Sequence, residues 1–338
     1  MNSRERLRAI IDGETADRCG FWLGNPHADT WPILFDHFAT ADSERILREL
    51  GDDLRWIRPG AYRHPEGKPM FDMRRQGREL AAGGVFADCE DLDEVEALDW
   101  PDPDYLDFDE TLARLRAAGD YYRPSGFWCP FFHHVADFFG MESYFVKMYT
   151  HPEVVHAVTR HVVDFYLEAN RRFFEVAGDL IDAFFFGNDF GSQRGLLVSR
   201  AMLAAFVFPY FRQLTDLAHD FGYQVILHSC GSIYEVIPDL IDMGVEALHP
   251  LQALAADMNA ETLSRDFAGS IAFIGGIDTQ DLLVNADPDA VAADVRRVVE
   301  LLGPRLVVSP SHEAVLPNVP PENLLAMAGA VRDSDRHL

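Results

Sequence analysis

The chain has 338 residues, of which 48% are hydrophobic, so it can bury a full core and one large domain is the first expectation. Its 55 acidic side chains outnumber the 29 basic ones and give a formal net charge of −26 at pH 7. A surface of that charge repels phosphate backbones and anionic lipid headgroups, so neither nucleic acid nor a membrane surface is expected as a partner.

Cysteine usage and the N-terminal stretch indicate a cytoplasmic protein. The four cysteines stand far apart with no repeated spacing, which is typical of a reducing compartment and not of a disulfide scaffold. The N-terminus leads into a polar amphipathic stretch without an apolar leader, and no uninterrupted apolar run approaches the ~20 residues of a membrane-spanning helix.

The first half of the chain contains three candidate strands. They are Gly20–Leu23, Leu54–Arg58 and Gly126–Phe131. The region between the second and the third, approximately residues 59–110, predicts an insertion. Its glycine-rich alternating stretch at 71–86 predicts a hairpin above the strand ends, which would either cover a site as a lid or only cap that end of the fold.

Beyond residue 150, short apolar runs alternate with amphipathic segments of helical period, as in a parallel sheet with crossover helices. Thr150, followed by Pro152 and Glu153, predicts a capping box and a long helix that runs to about Ala177. Five apolar runs follow, each succeeded by a helical segment: Ile181–Phe186, Gln224–His228, Val245–His249, Ile271–Gly275 and Arg305–Ser309.

Three strands and five strands make eight, which predicts an α/β fold, namely a single (β/α)8 TIM barrel over residues 1–338 with a hairpin inserted after the second strand. An open doubly wound sheet is the alternative, because βαβ alternation alone does not separate the two architectures. No GxGxxG or GxxxxGKS motif follows an early strand, so neither dinucleotide binding nor P-loop chemistry is predicted.

The strongest chemical feature is His228-Ser229-Cys230-Gly231, at the end of the fifth predicted strand. Barrel active sites lie at such strand ends, and an imidazole and a thiolate two residues apart can both reach one ion, with Zn²⁺ the best suited. A catalytic zinc needs three protein ligands, and His312, after the eighth strand, is the predicted third. The alternatives are an acid/base role for His312 and, for the pair, a strand-end histidine beside a buried cysteine.

Polar side chains recur at the other predicted strand ends, which favours a ligand site. Asp189 is the candidate catalytic carboxylate, either facing the substrate or acting as a fourth ligand, and its structural alternative is a helix N-cap. For Arg58, His249 and Asp278, a structural hydrogen bond within a loop is the preferred interpretation over contact with a ligand. Of His133 and His134, which face opposite ways in an extended segment, at most one reaches the site. The candidate substrate-binding residues are Asn25, His27, Trp128, Asp189, Gln193 and His249.

These motifs resemble the uroporphyrinogen decarboxylase superfamily, which also contains zinc-dependent, cobamide-linked methyltransferases, and the resemblance runs over essentially the whole chain. His228-Ser229-Cys230 is similar to the His-x-Cys part of the methyltransferases' zinc signature, and counterparts also exist for Asp189–Gln193, Gly275–Asp278 and Ser309–His312. The resemblance implies a TIM barrel, one Zn²⁺ per chain, a small-molecule methyl donor and a corrinoid supplied by a partner protein. It is also compatible with a homodimer.

Two departures from the relatives narrow the expected function. True uroporphyrinogen decarboxylases carry an Arg-Gln-Ala-Gly-Arg stretch after the first strand, whereas this chain has Phe21–His27 there without an arginine, so an octacarboxylate substrate is not expected. The thiol-methylating relatives have a cysteine where His312 falls. One thiolate and two imidazoles leave zinc with a net charge of +1, which makes it a better Lewis acid toward an oxygen ligand than a neutral two-thiolate site.

The first hypothesis is therefore a zinc-dependent methyltransferase that moves a methyl group between a small O-methyl compound, such as an aryl methyl ether, and a corrinoid protein. The alternative enzyme is a decarboxylase of a smaller carboxylate, with Asp189 and His312 as its acid/base pair. A third hypothesis is a barrel that binds a small molecule or a corrinoid protein without catalysis. The sequence specifies neither the methyl donor nor the direction of transfer.

Overall fold

Nine strands and fifteen α-helices are assigned within residues 1–334, the part of the chain that the computed structural model describes. The strands are β1 (Gly20–Phe21), β2 (Ala61–Tyr62), β3 (Leu106–Asp107), β4 (Pro124–Ser125), β5 (Ala183–Gly187), β6 (Gln224–His228), β7 (Ala247–Leu251), β8 (Ala272–Ile277) and β9 (Leu306–Pro310). The helices are α1 (Ser3–Asp12), α2 (Trp31–His37), α3 (Ser43–Leu50), α4 (Leu92–Glu96), α5 (Asp109–Ala117), α6 (Phe131–Phe139), α7 (Met141–Thr150), α8 (Pro152–Ala177), α9 (Arg200–Phe206), α10 (Phe208–Asp220), α11 (Ile237–Asp242), α12 (Ala260–Phe267), α13 (Leu282–Asn285), α14 (Pro288–Leu302) and α15 (Pro321–Asp333). None of the helices found in these residues is both long enough and apolar enough to cross a membrane.

Seven of the strands form one curled sheet in which all the pairings are parallel. Its order is β1-β9-β8-β7-β6-β5-β4, while β2 and β3 form a separate antiparallel pair. The five strands predicted in the second half of the chain are confirmed, with ends displaced by at most two residues. Because the sheet is parallel, the C-terminal ends of these strands meet at one edge of the fold.

The second predicted strand, Leu54–Arg58, is reduced to a single bridge in which Leu54 pairs in parallel with Tyr122. The same segment also contacts β1, since the amide of Asp53 donates to the carbonyl of Phe21 at 2.9 Å. The carboxylate of Asp52 then accepts the amide two residues beyond Phe21, at 2.7 Å. A side chain thus replaces a backbone carbonyl, and the ladder ends there.

The prediction of a strand at Gly126–Phe131 is wrong, because the strand is β4 and helix α6 already begins at Phe131. Gly126 and Cys129 have φ angles of +108° and +46°, which interrupt an extended chain. Two asparagine side chains bond the backbone instead. Asn170 accepts the amide that follows Gly126, and Asn188 donates to the carbonyl of Cys129, both at 2.9 Å.

The insertion at residues 59–110 is paired at its two ends by β2 and β3. In the stretch at 71–86, where a hairpin is predicted, a backbone hydrogen bond of 2.9 Å joins Gln76 to Gly83, but no strand is assigned. A φ angle of +45° at Arg74 interrupts the alternation that the sequence pattern indicates. The stretch at 71–86 is therefore an irregular loop without assigned strands.

The predicted long helix is confirmed as α8, Pro152–Ala177, but its predicted capping box is wrong. The N-cap residue is His151, without a side-chain cap. Thr150 ends α7, and its hydroxyl donates to the carbonyl of Val146 at 3.3 Å. A preceding helix that runs to Thr150 leaves this hydroxyl no access to the first turn of α8.

Side chains of the strands alternate between two layers of core. In β5, Phe184 and Phe186 stack at 4.5 Å in the layer under the helices, whereas Phe185 belongs to the inner layer enclosed by the sheet. Leu7 and Ile10 of α1 are fully buried in that inner layer, beside the first residue of β1. Helix α1 thus closes the N-terminal end of the strands and leaves the opposite end for a site.

A buried carboxylate fastens α1 to this N-terminal end through two partly exposed arginines. The carboxylate of Asp182 has no exposed surface and accepts hydrogen bonds from Arg4 at 2.7 Å and from Arg8 at 2.6 Å. It also accepts the backbone amide of Arg123 at 2.9 Å.

Candidate metal centre and active site

His228 and Cys230 lie together at the C-terminal end of β6. A tight turn at Gly231, with φ +82°, follows the pair, and the Sγ of Cys230 lies 3.2 Å from Nε2 of His228. Asp189, which follows β5, contributes a third donor, because its Oδ1 is 3.4 Å from the same Nε2. This oxygen also accepts the amide of Cys230 at 2.8 Å, which holds the carboxylate against the turn.

The spacing of these three donors fits a tetrahedral zinc ion. Zinc bonds of about 2.0–2.3 Å at tetrahedral angles place neighbouring ligand atoms roughly 3.3–3.6 Å apart. The separations of 3.2 Å and 3.4 Å from Nε2 of His228 are close to that range, and the three donor atoms all lie within 4.8 Å of one another. Thiolate, imidazole and carboxylate are all donors that zinc accepts.

A second group of potential ligands shares the His228 ring. Its Nδ1 lies 3.0 Å from Nδ1 of His249 and 3.6 Å from Oε2 of Glu313. Nε2 of His249 and Oε2 of Glu313 are buried and have no hydrogen-bond partner in the described residues. Glu313 is absent from the predicted site residues, although its position directly after His312 was an available signal.

Burial dominates the electrostatics of this cluster. Desolvation lowers the pKa of His228 below its ordinary value, although Glu313 and Asp189 oppose the shift. Burial, reinforced by the same two carboxylates, raises the pKa of the Cys230 thiol well above its usual range. The pKa of His249 is well below its ordinary value because of burial and the neighbouring imidazoles. Two neutral imidazoles beside two carboxylates form a site that attracts a cation.

His312 lies at the same end of the fold but outside both ligand groups. Its ring centroid is 6.4 Å from that of His228, and its side chain is 40% exposed. Nδ1 of His312 accepts the amide of Ala314 at 3.0 Å, so the proton of the neutral ring resides on Nε2. Asp189, and not His312, is therefore the residue brought beside His228 and Cys230.

Trp128, predicted to bind substrate, packs beside the metal group with its ring centroid 5.0 Å from that of His228. The ring fits there because Gly187, the last residue of β5, has no side chain. A Cβ at this position would lie 2.9 Å from Nε1 of Trp128 and closer still to two of its ring carbons. On the other side of the cluster, the ring of His249 lies 5.0 Å from that of Trp22.

Gln193 reaches the metal group through a residue that the sequence did not indicate, Gln252. The side-chain amide nitrogen of Gln193 donates to Oε1 of Gln252 at 3.3 Å. The same oxygen accepts the backbone N–H of Gly231 at 2.8 Å. Gln193 and Gln252 therefore support the turn that carries Cys230.

Asn25 and His27 follow β1 and approach the cluster less closely. The amide of Asn25 donates to the carbonyl of Glu313 at 2.6 Å, and the residue lines a cavity of about 420 Å³ that none of the metal-group residues lines. The ring of His27 is half exposed, and its Nδ1 accepts the amide of Asp29 at 3.2 Å. The structure does not bring His27 to the metal group.

The two adjacent histidines lie on helix α6, so the extended geometry assumed for them is wrong. Nε2 of His133 lies 3.2 Å from the carbonyl oxygen of Asp189, at the edge of the site. Nδ1 of His134 is 2.9 Å from the hydroxyl of Tyr166, inside the core. Asp278 has a structural contact, because its carboxylate accepts three consecutive backbone amides of its own loop.

The sequence matches one protein family, and the fold is similar to solved structures. The family model described as uroporphyrinogen decarboxylase (URO-D) matches residues 126–334. The fold is similar to that of a methyltransferase from Methanosarcina mazei, with 15% identity, a TM-score of 0.67, and coverage of 98% of this chain and 99% of that chain. It is also similar to that of a B12-independent methionine synthase from Shewanella sp. W3-18-1 in complex with selenomethionine, with 11% identity, a TM-score of 0.52, and coverage of 95% and 98%. No curated protein sequence matches the chain. Because the matched residues make up well over half of its length, the chain belongs to the uroporphyrinogen decarboxylase family.

Proposed function

We propose that this protein is a zinc-dependent methyltransferase that moves a methyl group between a small O-methyl compound and a corrinoid carried by a partner protein. The observation that carries the proposal is the donor set at the end of β6, where Cys230 and Asp189 lie 3.2 Å and 3.4 Å from one nitrogen of His228. Family membership and the shared fold with a methyltransferase agree with it.

Asp189, His228 and Cys230 would hold the ion, one zinc per chain. Bound zinc supplies a Lewis acid that polarises an oxygen ligand. With Asp189 as the third ligand the site has two anionic donors, so its charge equals that of a two-thiolate site, and net charge alone no longer favours oxygen substrates. The carboxylate of Asp189 still favours an oxygen substrate, because it is a harder ligand than the thiolate that it replaces.

His312 is the proposed hydrogen-bond donor to the reacting oxygen. When the methyl group passes as a cation to the cobalt of the corrinoid, that oxygen keeps the bonding electron pair and takes up a proton from solvent. The Nε2–H of the neutral His312 ring, left available by the hydrogen bond from Ala314 to Nδ1, would stabilise the oxygen while its charge develops. His312 also stays a candidate ligand for a zinc position left open by the other three residues. Trp128, Gln193, His249, Asn25 and His27 stay candidates for substrate contact.

We also infer that the chain is a single domain, predicted over residues 1–338, of which 335–338 lie outside the described residues, and that residues 1–334 form an eight-stranded barrel with the insertion at 59–110 on its upper face. The support is the segment around Leu54, whose backbone bonds to β1 on one side and to Tyr122, beside β4, on the other. The segment thereby lies between β1 and β4, the two edge strands of the seven-stranded sheet. A cytoplasmic location and a homodimer belong to the same proposal, and sedimentation of the purified protein tests the dimer.

Elemental analysis of protein purified without chelators tests the metal. We expect about one zinc per chain in the wild type, and loss of it in His228→Ala and Cys230→Ser. Asp189→Asn and His312→Ala identify the third ligand, because only the true ligand lowers zinc content. His37→Ala is the control, since His37 belongs to neither ligand group.

Methyl transfer is then measured with cob(I)alamin as the acceptor and a panel of methyl ethers as donors. Formation of methylcobalamin by the wild type, and its absence with Cys230→Ser, is the expected result. A wild-type protein without metal would overturn the proposal. It would leave the decarboxylase of a smaller carboxylate, with Asp189 and His312 as acid and base, or a binding protein.

A further inference from the structure

Beside the metal group lies a cavity of about 220 Å³ whose lining carries a single formal charge. Its charged residue is Arg58, and no carboxylate or second cation lines it. The remaining lining is Trp56, Pro59, Gly60, Met70, Gly126, Phe127 and Trp128. A cationic cavity stands out on a chain whose net charge is −26.

The guanidinium of Arg58 is not neutralised by the protein. Within residues 1–334 its side chain has neither an ion pair nor a hydrogen bond, and it lies 4.8 Å from the ring centroid of Trp56. Three residues earlier, Arg55 pairs with both Glu44 and Asp52 at 2.9 Å. The loop hydrogen bond expected for Arg58 from the sequence is therefore not formed. An arginine fork that stacks on an aromatic ring keeps its donors available for a carboxylate.

Trp56, a residue of the lining, carries a second unused donor behind the cavity surface. Its Nε1 is buried and has no acceptor in the described residues. Leaving a buried N–H without a partner costs about 1–3 kcal/mol, so such a group is commonly completed by a ligand or a water. The free guanidinium of Arg58 and the absence of an anion in the lining favour a ligand that brings acceptor oxygens.

The walls of the cavity favour a flat ligand. The rings of Trp56 and Trp128 lie 5.0 Å apart at an angle of 48°, and Phe127 and Met70 complete an apolar surface. Aromatic ligands gain by stacking against such rings. Trp128 also touches the metal group, with its centroid 5.0 Å from that of His228, so the cavity adjoins the site of the chemistry.

We propose that this cavity binds the carboxylate-bearing end of an aromatic methyl donor, with Arg58 as the residue that selects for the negative charge. The proposal rests on the proposed methyltransferase function, which it narrows to aromatic carboxylates among the methyl ethers. Arg58 forms a bidentate ion pair with the carboxylate, and the ligand ring packs against the tryptophan rings that line the cavity.

Isothermal titration calorimetry with two matched probes tests the proposal. The first probe is 4-methoxybenzoate, and the second is anisole, which lacks the carboxylate. We expect the wild type to bind 4-methoxybenzoate at least tenfold more tightly than anisole. Arg58→Ala should abolish most of this ratio while leaving anisole affinity within about twofold, because a charge-assisted hydrogen bond is worth about 1.5–3 kcal/mol and tenfold corresponds to about 1.4 kcal/mol.

Three further variants separate charge from packing. Arg58→Lys should restore part of the preference, since it keeps the charge without the bidentate fork. Trp56→Phe keeps the charge of Arg58 and reduces the aromatic surface, so both probes should lose affinity while their ratio persists. Arg63→Ala is the control, because it removes the same charge five residues away, from an exposed side chain that pairs with Asp107 outside the cavity.

Equal affinity of the wild type for both probes, or a ratio that Arg58→Ala leaves unchanged, overturns the proposal, as does a wild type that does not bind 4-methoxybenzoate. These titrations need neither a corrinoid nor turnover. Selective binding without methyl transfer to cob(I)alamin would therefore contradict only the proposed function. Methyl transfer without carboxylate selectivity would contradict only the role of Arg58.

Discussion

Substitution of Gly187 by alanine tests the packing that places Trp128 beside the metal group. An alanine Cβ would lie 2.9 Å from Nε1 of Trp128 and closer to two ring carbons, and a fully buried strand end offers little room to relax. Overpacking of this kind costs about 1–3 kcal/mol. With an unfolding entropy of about 2.1 cal/mol/K per residue, 338 residues give roughly 0.7 kcal/mol/K, so Tm should fall by about 1–4 °C.

Differential scanning calorimetry measures the effect, and a double substitution assigns its cause. In a Trp128→Ala background the added methyl group has space, so Gly187→Ala should then cost almost nothing. Gly329→Ala is the matched control, because a Cβ there meets no atom within 4 Å and α15 gains from the better helix former. An unchanged Tm for Gly187→Ala, or an equal loss in both backgrounds, would refute the reasoning.

Three further predictions concern ion pairs, pH and metal. Asp182→Ala leaves the buried backbone amide of Arg123 without its acceptor, while Arg4 and Arg8 still reach solvent, so it should cost about 1–3 kcal/mol, or roughly 1–4 °C in Tm. The exposed Asp99→Ala should change Tm by less than about 1 °C. Burial lowers the pKa of His134 to about 4, below its ordinary 6.5, so its contribution to stability is fully present above pH 6.5 and is lost as the pH falls toward 4. Chemical denaturation at pH 7.5 and pH 5 should therefore show an extra loss of about 2 kcal/mol in the wild type that His134→Phe lacks, and parallel curves would contradict this assignment. Chelator treatment should lower the Tm of the wild type but not that of His228→Ala, and equal shifts in the two proteins would speak against a metal held by His228.

Local sequence patterns were sufficient wherever structure depends on neighbouring residues. The five runs from Ile181 onward became strands because their largely apolar residues can be buried on both faces of the sheet, and the 26-residue periodic segment became α8. The pair His228 and Cys230 was recognised for the same reason, since two ligands separated by one residue meet through the turn that they occupy.

The first half of the chain depends on contacts that no local pattern encodes. The segment after Gly126 loses its strand because Asn170 and Asn188, each more than 40 residues away, bond its backbone. The pairing of Leu54–Arg58 with β1 ends early because the carboxylate of Asp52 takes the amide of Leu23, while the amides of Arg55 and Ile57 still bond the chain beside and in β4. In both places a distant or buried side chain replaced a backbone partner.

The sequence by itself determined the alternation of strands and helices and the two donors at the end of β6, because these follow from period and spacing along the chain, and its motifs carried the resemblance to the family. Only the tertiary structure decided that Asp189 lies beside that pair while His312 turns to Ala314. It also decided that Oε2 of Glu313 lies beside His228 without a hydrogen bond in the described residues, and that Arg58 lines the neighbouring cavity. These outcomes depend on distances between the ends of different strands, which the curvature and register of the whole sheet set.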